Sequence, residues 1–164
     1  MKIPALACVL LGFFAAPTLT KAQELNDFKG LQRVRILVEE LKKKTTDMGL
    51  TRESLHDEIL VALKRDVPKL KVVDDKALLG VFRVYLNITS VHTATVWVAA
   101  HVQIALHRRV EIIGDDGTKY FTVATVWEDN AVLYDPVEQL PSRIRDYISQ
   151  AMTEFAAEYY NENP

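Results

Sequence analysis

The sequence predicts an α+β fold: a two-layer β-α-β-β-β-α sandwich with a mostly antiparallel four-stranded sheet and two helices on one face. Apolar and polar residues alternate with a period of two through residues 81–127, which is the side-chain period of a strand. Residues 50–68 and 140–159 instead carry apolar residues three and four positions apart, as amphipathic helices do. One apolar face of the sheet would cover the apolar stripes of both helices.

The first predicted strand alternates Val34, Ile36 and Val38 with Arg33 and Arg35. Because successive side chains of a strand point to opposite faces, its apolar and basic residues are expected on opposite sides of the sheet. A right-handed crossover through the first helix is expected to join this strand to the later ones.

The segment between the first strand and the first helix, residues 42–49, contains three consecutive lysines and no apolar period, and is predicted to be a loop. Thr51 is placed to cap the following helix, Glu53 favours its positive end, and Pro68 stops it. Residues 70–73 then form a short extended piece, and Asp74-Asp75-Lys76 turns the chain.

Three strands follow as an antiparallel meander. The second strand covers residues 82–89, a turn is predicted at residues 92–94, and a long third strand runs from Val96 to Leu106, both residues being assigned to its apolar side. Residues 114–117, Gly-Asp-Asp-Gly, are a strong turn signal.

The fourth strand is marked by Phe121, Val123 and Trp127, so two consecutive hairpins build the meander. Asp129-Asn130 and Pro136 are expected to end it. The last helix begins near Pro141-Ser142 and carries a wide apolar stripe.

Residues 1–22 are typical of a cleaved secretory signal. Lys2 gives a basic start, an apolar run follows, and Ala22 supplies a small residue at the predicted cleavage point. A membrane anchor is the alternative, but the run of about 14 apolar residues is shorter than the ~20 that a spanning helix needs. We therefore expect one domain over residues 23–164, located in the periplasm or secreted, with no transmembrane segment after signal cleavage.

Cys8 is the only cysteine and lies inside the predicted signal, with eight further residues of the apolar run after it, so lipid attachment at Cys8 is not expected. The mature chain would then contain no thiol and no disulfide. Without Lys2 and Lys21 it would carry 18 basic and 22 acidic residues, a balance that gives no indication of nucleic-acid binding.

Motifs of known chemistry are missing from the sequence. There is no Gly-x-Ser-x-Gly elbow and no glycine-rich phosphate loop, so we predict no catalytic residue and no cofactor. His101 and His107 share a strand face, but six residues at ~3.3 Å each separate them by ~20 Å. That is too far for two ligands of one metal ion, and no metal site is predicted.

The face of the sheet away from the helices is the candidate binding surface. Its basic and aromatic side chains are suited to an acidic ligand or protein partner, with Trp97 as an interface anchor. The alternative is that this face is only the solvated side of an antiparallel sheet. The predicted binding residues are Arg33, Arg35, Arg83, Tyr85, Trp97, His101, His107 and Arg109.

The order of elements resembles a known class of bacterial proteins. A signal, a strand, a helix opening at Leu-Thr-Arg-Glu-Ser-Leu (residues 50–55) and leading to Leu-Lys-Val-Val-Asp-Asp (residues 70–75), a meander and a long last helix are similar to small periplasmic domains of the Gram-negative envelope. These include the lipopolysaccharide-assembly lipoprotein and the N-terminal domain of the Tol-system propeller protein. The chain differs from the lipoprotein because it lacks an anchoring cysteine at the signal boundary, and the resemblance assigns no site residue.

Two functions are consistent with the sequence. The first is a non-catalytic binding or assembly module of the bacterial cell envelope that meets a protein or an anionic envelope ligand through its open sheet face, a sheet edge or the loop of three lysines. A sheet edge would also permit a homodimer. The second is a small secreted hydrolase-like enzyme, which would require Arg83, Tyr85 and His101 to converge in a deep cleft.

Overall fold

A computed structural model describes residues 28–73, 82–92 and 96–164. The predicted signal at residues 1–22 lies outside this part of the chain, as do the predicted turn at residues 74–76 and most of the one at residues 92–94. The elements in chain order are β1 (Arg33–Val38), α1 (Lys43–Thr46), α2 (Arg52–Asp66), β2 (Lys71–Val72), β3 (Phe82–His92), β4 (Trp97–Ile113), β5 (Lys119–Pro136) and α3 (Leu140–Glu162).

The described strands form one sheet in the order β2-β1-β3-β4-β5. β1 runs parallel to both of its neighbours, whereas β3, β4 and β5 are antiparallel. The α+β class is therefore confirmed. The predicted four-stranded sheet is wrong: five strands are described, because the short extended piece joins the sheet as β2. The Val73 N–H bonds to the Val34 carbonyl at 2.9 Å.

Three helices are described where two were predicted. The additional one, α1, is a single turn in the segment predicted to be a loop. Its Thr45 side chain is fully buried and shares a 2.9 Å hydrogen bond with the Ser90 hydroxyl. Hydrogen bonds of this kind hold the turn in place, so it needs no apolar period and has no signal in the hydrophobic pattern.

The two longer helices begin and end close to the predicted positions. The Thr51 hydroxyl caps α2 by accepting the Ser54 N–H at 3.0 Å, and the Thr51 N–H bonds to the Ser54 hydroxyl in return. α3 has Pro141 in its first turn, as predicted. The apolar stripe of α3 is buried at Leu140, Ile144, Ile148, Ala151, Met152, Phe155, Ala156 and Tyr159.

The core lies between the helices and one face of the sheet, which we call the helix face. The predicted apolar sides of β1, β3 and β4 all lie there. Their buried residues are Val34, Ile36, Val38, Val84, Leu86, Ile88, Val98, Ala100, Val102, Ile104 and Leu106. At one end of this layer Phe155 of α3 meets Phe28 and Trp127 edge to face, with ring centroids 4.9 and 5.3 Å apart.

A β-bulge changes which residues of β5 share a face. Leu106 pairs with Trp127, but the next residue, His107, pairs with Thr125, which leaves Val126 as an extra residue on β5. An extra residue in one strand reverses the facing of every residue beyond it relative to a regular ladder.

The bulge places Phe121 and Val123 on the face opposite Trp127, although the three residues keep one two-residue alternation in the sequence. Phe121 and Val123 are both more than half exposed. The guanidinium carbon of Arg109 lies 4.1 Å from the centroid of the Phe121 ring, which places the two side chains on the same side.

Two further details of the meander differ from the prediction. Val96, assigned to the apolar side of the third strand, precedes β4 and is exposed. β5 ends at Pro136, as expected, but Asp129 and Asn130 do not interrupt it because they pair with Ile104 and Gln103 of β4.

The packing of α3 leads to a stability prediction. Phe155 is fully buried, so Phe155→Ala should lower the free energy of unfolding by about 3–5 kcal/mol through lost burial and a residual cavity. Tyr160→Ala on the same helix removes a partly exposed ring and should cost about 1 kcal/mol or less. Urea unfolding monitored by circular dichroism measures both. Equal losses for the two variants would contradict the docking of α3 on the sheet.

Candidate functional site

The face opposite the helices, which we call the open face, contains all eight residues predicted for binding. Their positions follow from strand alternation and pairing register. Trp97 and Arg33 are exposed, and Tyr85 is half-buried. The eight residues are Arg33 and Arg35 on β1, Arg83 and Tyr85 on β3, and Trp97, His101, His107 and Arg109 on β4.

The basic side chains gather at one end of the open face. Arg35 of β1 pairs with Arg83 of β3, and Arg83 pairs with His107 of β4. Adjacent strands are only ~4.8 Å apart, and like charges directly opposite each other are destabilising. We call Arg33, Arg35, Arg83, His107 and Arg109 the basic cluster. An anion placed over this cluster would relieve the repulsion between its arginines.

The nearby carboxylates on this face already have partners. Glu128 accepts hydrogen bonds from Gln103 at 2.9 Å and from Asn130 at 3.3 Å. The pKa of Tyr85 is raised by burial, and further by the charge of Glu39 and a hydrogen bond to it. The Nε atom of Arg35, in contrast, is buried and makes no hydrogen bond within the part of the chain that the structure describes. A buried guanidinium N–H without an acceptor is costly.

His107 joins the basic cluster to an aromatic side chain. Its ring stacks on Tyr85 with centroids 4.7 Å apart and an angle of 24° between the planes. Burial lowers the pKa of His107, the positive charge of Arg83 lowers it further, and Glu128 partly opposes both. The lowered pKa favours the neutral imidazole, so the four arginines are the main source of positive charge in the cluster.

The other end of the open face is aromatic. Trp97 stacks on Tyr134 of β5 with ring centroids 5.0 Å apart and 17° between the planes, and Trp97 is 38% exposed. We call Trp97 and Tyr134 the aromatic pair. Val132, on the same side of β5, is 72% exposed. Large exposed apolar side chains grouped together are typical of interaction surfaces.

Sequence reasoning missed the contribution of β5 to the open face. Val132 and Tyr134 alternate with Ala131 and Leu133, and this two-residue period was a usable signal. The contribution of Phe121 had no such signal, because the bulge that turns it to the open face has no glycine or proline to mark it.

Arg83, Tyr85 and His101 do not converge. His101 pairs with Thr89, four residues along β3 from Tyr85, so the two positions are ~13 Å apart at ~3.3 Å per residue. Within residues 28–73, 82–92 and 96–164, no group of three or more His, Cys, Asp or Glu residues is placed to hold a metal ion. The condition for an enzymatic site stated above is therefore not met by these three residues.

None of the helices in the described part of the chain has the length and apolar character needed to cross a membrane.

Comparisons with known proteins give structural matches only. No protein-family model matches the chain, and no curated protein matches it in sequence. A crystal structure of a minor lipoprotein from Acinetobacter baumannii matches with a TM-score of 0.40 and 10% identity, over 82% of this chain and 95% of that one. Rare lipoprotein B from Shewanella oneidensis matches with a TM-score of 0.37 and 9% identity, over 80% of this chain and 99% of that one.

Both of these structures are of lipoproteins. At these TM-scores the matches carry no information on the site or on function.

The surroundings of His107 predict its titration. Arg83→Gln should raise the pKa of His107, because it removes a positive charge that disfavours the imidazolium. Glu128→Gln should lower that pKa, because it removes the opposing carboxylate. Titration of the imidazole protons by NMR measures both shifts, and an unchanged or lower pKa in Arg83→Gln would contradict the account.

The same lowered pKa sets the sign of a pH effect on stability. Protonation of His107 is less favourable in the folded state than in the unfolded state. The contribution of His107 to the free energy of unfolding is therefore complete above its unfolded-state pKa of ~6.5. It is lost as the pH falls through the lower pKa of His107 in the folded state. In His107→Gln, whose side chain does not titrate, the loss of stability between pH 7 and pH 5 should be smaller than in the wild type, as urea unfolding would measure.

Proposed function

We propose that this protein is a non-catalytic binding or assembly module of the bacterial cell envelope, acting in the periplasm or after secretion, and that the open face is its binding surface. The single observation that carries the proposal is the division of this face into a basic cluster and an aromatic pair. Envelope location is supported by the predicted signal at residues 1–22.

The basic cluster favours an acidic partner. Four arginines lie on three adjacent strands, and Arg35 and Arg83 are directly paired. Guanidinium groups bind carboxylates and phosphates with two parallel hydrogen bonds, so neighbouring arginines present several donors to one anionic group. The partner is therefore a protein with an acidic surface or an anionic ligand of the envelope.

The aromatic pair supplies the apolar part of the interface. Trp97 and Tyr134 present stacked rings whose conformational freedom is already reduced by their contact. Aromatic anchors of this kind provide much of the binding energy at protein interfaces. If a partner contacted both the basic cluster and the aromatic pair, the arginines would contribute specificity and the aromatic rings would contribute affinity.

The geometry favours binding over catalysis. An enzyme needs titratable groups that lie close together in a concave site. On this face Arg83 and Tyr85 lie near one end, whereas His101 pairs with Thr89, four residues further along β3 from Tyr85.

Position-specific photocrosslinking tests which face meets the partner. A photoreactive amino acid at His101, which is exposed on the open face, should give a discrete adduct in the native envelope. The same amino acid at Ala157, exposed on α3, should give none. Adducts from Ala157 and none from His101 would overturn the assignment of the binding surface.

Charge reversal tests the role of the basic cluster in the same adduct. The double variant Arg35→Glu with Arg83→Glu should abolish the His101 adduct, because it replaces attraction of an acidic partner with repulsion. Lys44→Glu, in the exposed α1 segment, is the matched control and should leave the adduct unchanged. Loss of the adduct in Lys44→Glu alone would instead assign binding to the segment of three lysines.

The aromatic pair gives a separate prediction. Trp97→Ala should leave the midpoint of thermal unfolding within a few degrees of the wild type, because Trp97 is 38% exposed. It should weaken the partner interaction by at least about 2 kcal/mol if Trp97 is an anchor. A large loss of stability would mean that Trp97 belongs to the core.

A further inference from the structure

The outer edge of β1 is covered along only part of its length by the described strands. β2 pairs with β1 at Arg33 and Val34, and the Val73 N–H also bonds to the Val34 carbonyl. On the inner side, the Glu39 N–H bonds to the Leu86 carbonyl of β3. Backbone groups of alternate residues point to opposite sides of a strand, so those of Ile36 and Val38 point outward.

One of these outward groups already has a side-chain partner. The Nε of Arg52, the first residue of α2, donates to the Val38 carbonyl at 3.1 Å. Among residues 28–73, 82–92 and 96–164, none bonds to the N–H or carbonyl of Ile36 or to the N–H of Val38 on this side of β1. A strand edge of this kind is a template for an added strand.

A groove runs beside this edge, between β1 and α2. It consists of two hollows of about 520 and 490 Å³ that share Ile36 and His56. One hollow continues to Val38 and Arg52. The other is lined mainly by apolar side chains, those of Leu60, Pro68, Leu70, Val72 and Val73, with Lys64 at its margin.

We propose that this groove binds an extended peptide segment of a protein partner, which adds to the sheet as a strand along the Ile36–Val38 edge. The segment would form backbone hydrogen bonds with Ile36 and Val38, and it would place an apolar side chain in the hollow lined by Leu60 and Leu70. Backbone pairing together with a pocket for alternate side chains is the established mode of strand addition.

The charged residues that line the groove indicate which side chains the bound segment would carry. Arg35 and Arg52 lie at one end and Lys64 at the other, whereas the acidic residues Glu53 and Asp57 lie only at the Arg52 end. The Asp57 carboxylate is 3.4 Å from His56 Nδ1, so part of its charge is already directed to a neighbour. A segment with an apolar residue followed by an acidic residue near Lys64 therefore complements the groove.

This site shares Arg35 with the basic cluster of the open face, so its test uses variants at other residues. Random dodecapeptides displayed on phage are selected on the wild-type protein, with counter-selection on Leu60→Glu. Leu60 is half-buried in the groove, and its replacement by a charge fills the apolar hollow. Val61→Glu, one residue further on the exposed side of α2, is the matched control. His56→Glu, at the junction of the two hollows, is a second groove variant for use if Leu60→Glu does not fold.

The expected result is enrichment of extended apolar and acidic sequences on the wild type. The enriched peptide should bind at least about tenfold more weakly to the groove variant, a difference of ~1.4 kcal/mol, and equally well to Val61→Glu. It should also slow hydrogen exchange at the Ile36 and Val38 amides. Binding that survives in the groove variant, or the absence of any peptide enriched on the wild type, would overturn the proposal.

A variant of the open face distinguishes peptide binding in the groove from binding at the open face. Arg83→Glu should leave peptide binding unchanged, since Arg83 does not line the groove. If Arg83→Glu removes peptide binding while Leu60→Glu retains it, the peptide site is the open face and the groove is not used.

Discussion

The packing of α2 and α3 on one face of the sheet is the interaction on which the rest of the structure depends. The buried side chains of β1, β3 and β4 belong almost entirely to the helix face, and Ala105 is the only open-face position with a fully buried apolar side chain among the described residues of these strands. Because burial of this apolar layer is the main favourable term in folding, the helix face has little freedom to vary. Residues on the open face do not have to fill the core, so this face can carry arginines and exposed aromatic rings.

Much of this arrangement could be predicted from the sequence. Two-residue alternation in strands and three- and four-residue spacing in helices directly indicate which side chains are buried. The two faces of β1, β3 and β4, the Thr51 cap and the apolar stripe of α3 all follow from these patterns. What could not be predicted has no periodic signal. The bulge at Val126 and the turn held by Thr45 and Ser90 are set by tertiary hydrogen bonding. The two-residue strand β2 is too short to show a period.

For the candidate site, residue positions could be predicted but contacts could not. The eight residues share one face, yet only the register shows that Arg35, Arg83 and His107 are neighbours while His101 lies further along the sheet. Register depends on pairing between segments distant in sequence, and local alternation does not report it. The resulting separation of positive charge from aromatic surface is the basis for the proposed binding role, and the groove beside β1 is a second surface of different chemistry.

Cysteine labelling tests the central claim, the one-sided burial of the sheet, most directly. In a Cys8→Ser background, single cysteines at His101 and Gln103 on the open face should react with a maleimide at rates near that of the unfolded chain. Cysteines at the adjacent residues Val102 and Ile104, which are fully buried on the helix face, should be strongly protected until urea unfolds the protein. Rapid labelling at Val102 and Ile104 in the folded protein, with protection at His101 and Gln103, would contradict the account by reversing the two faces.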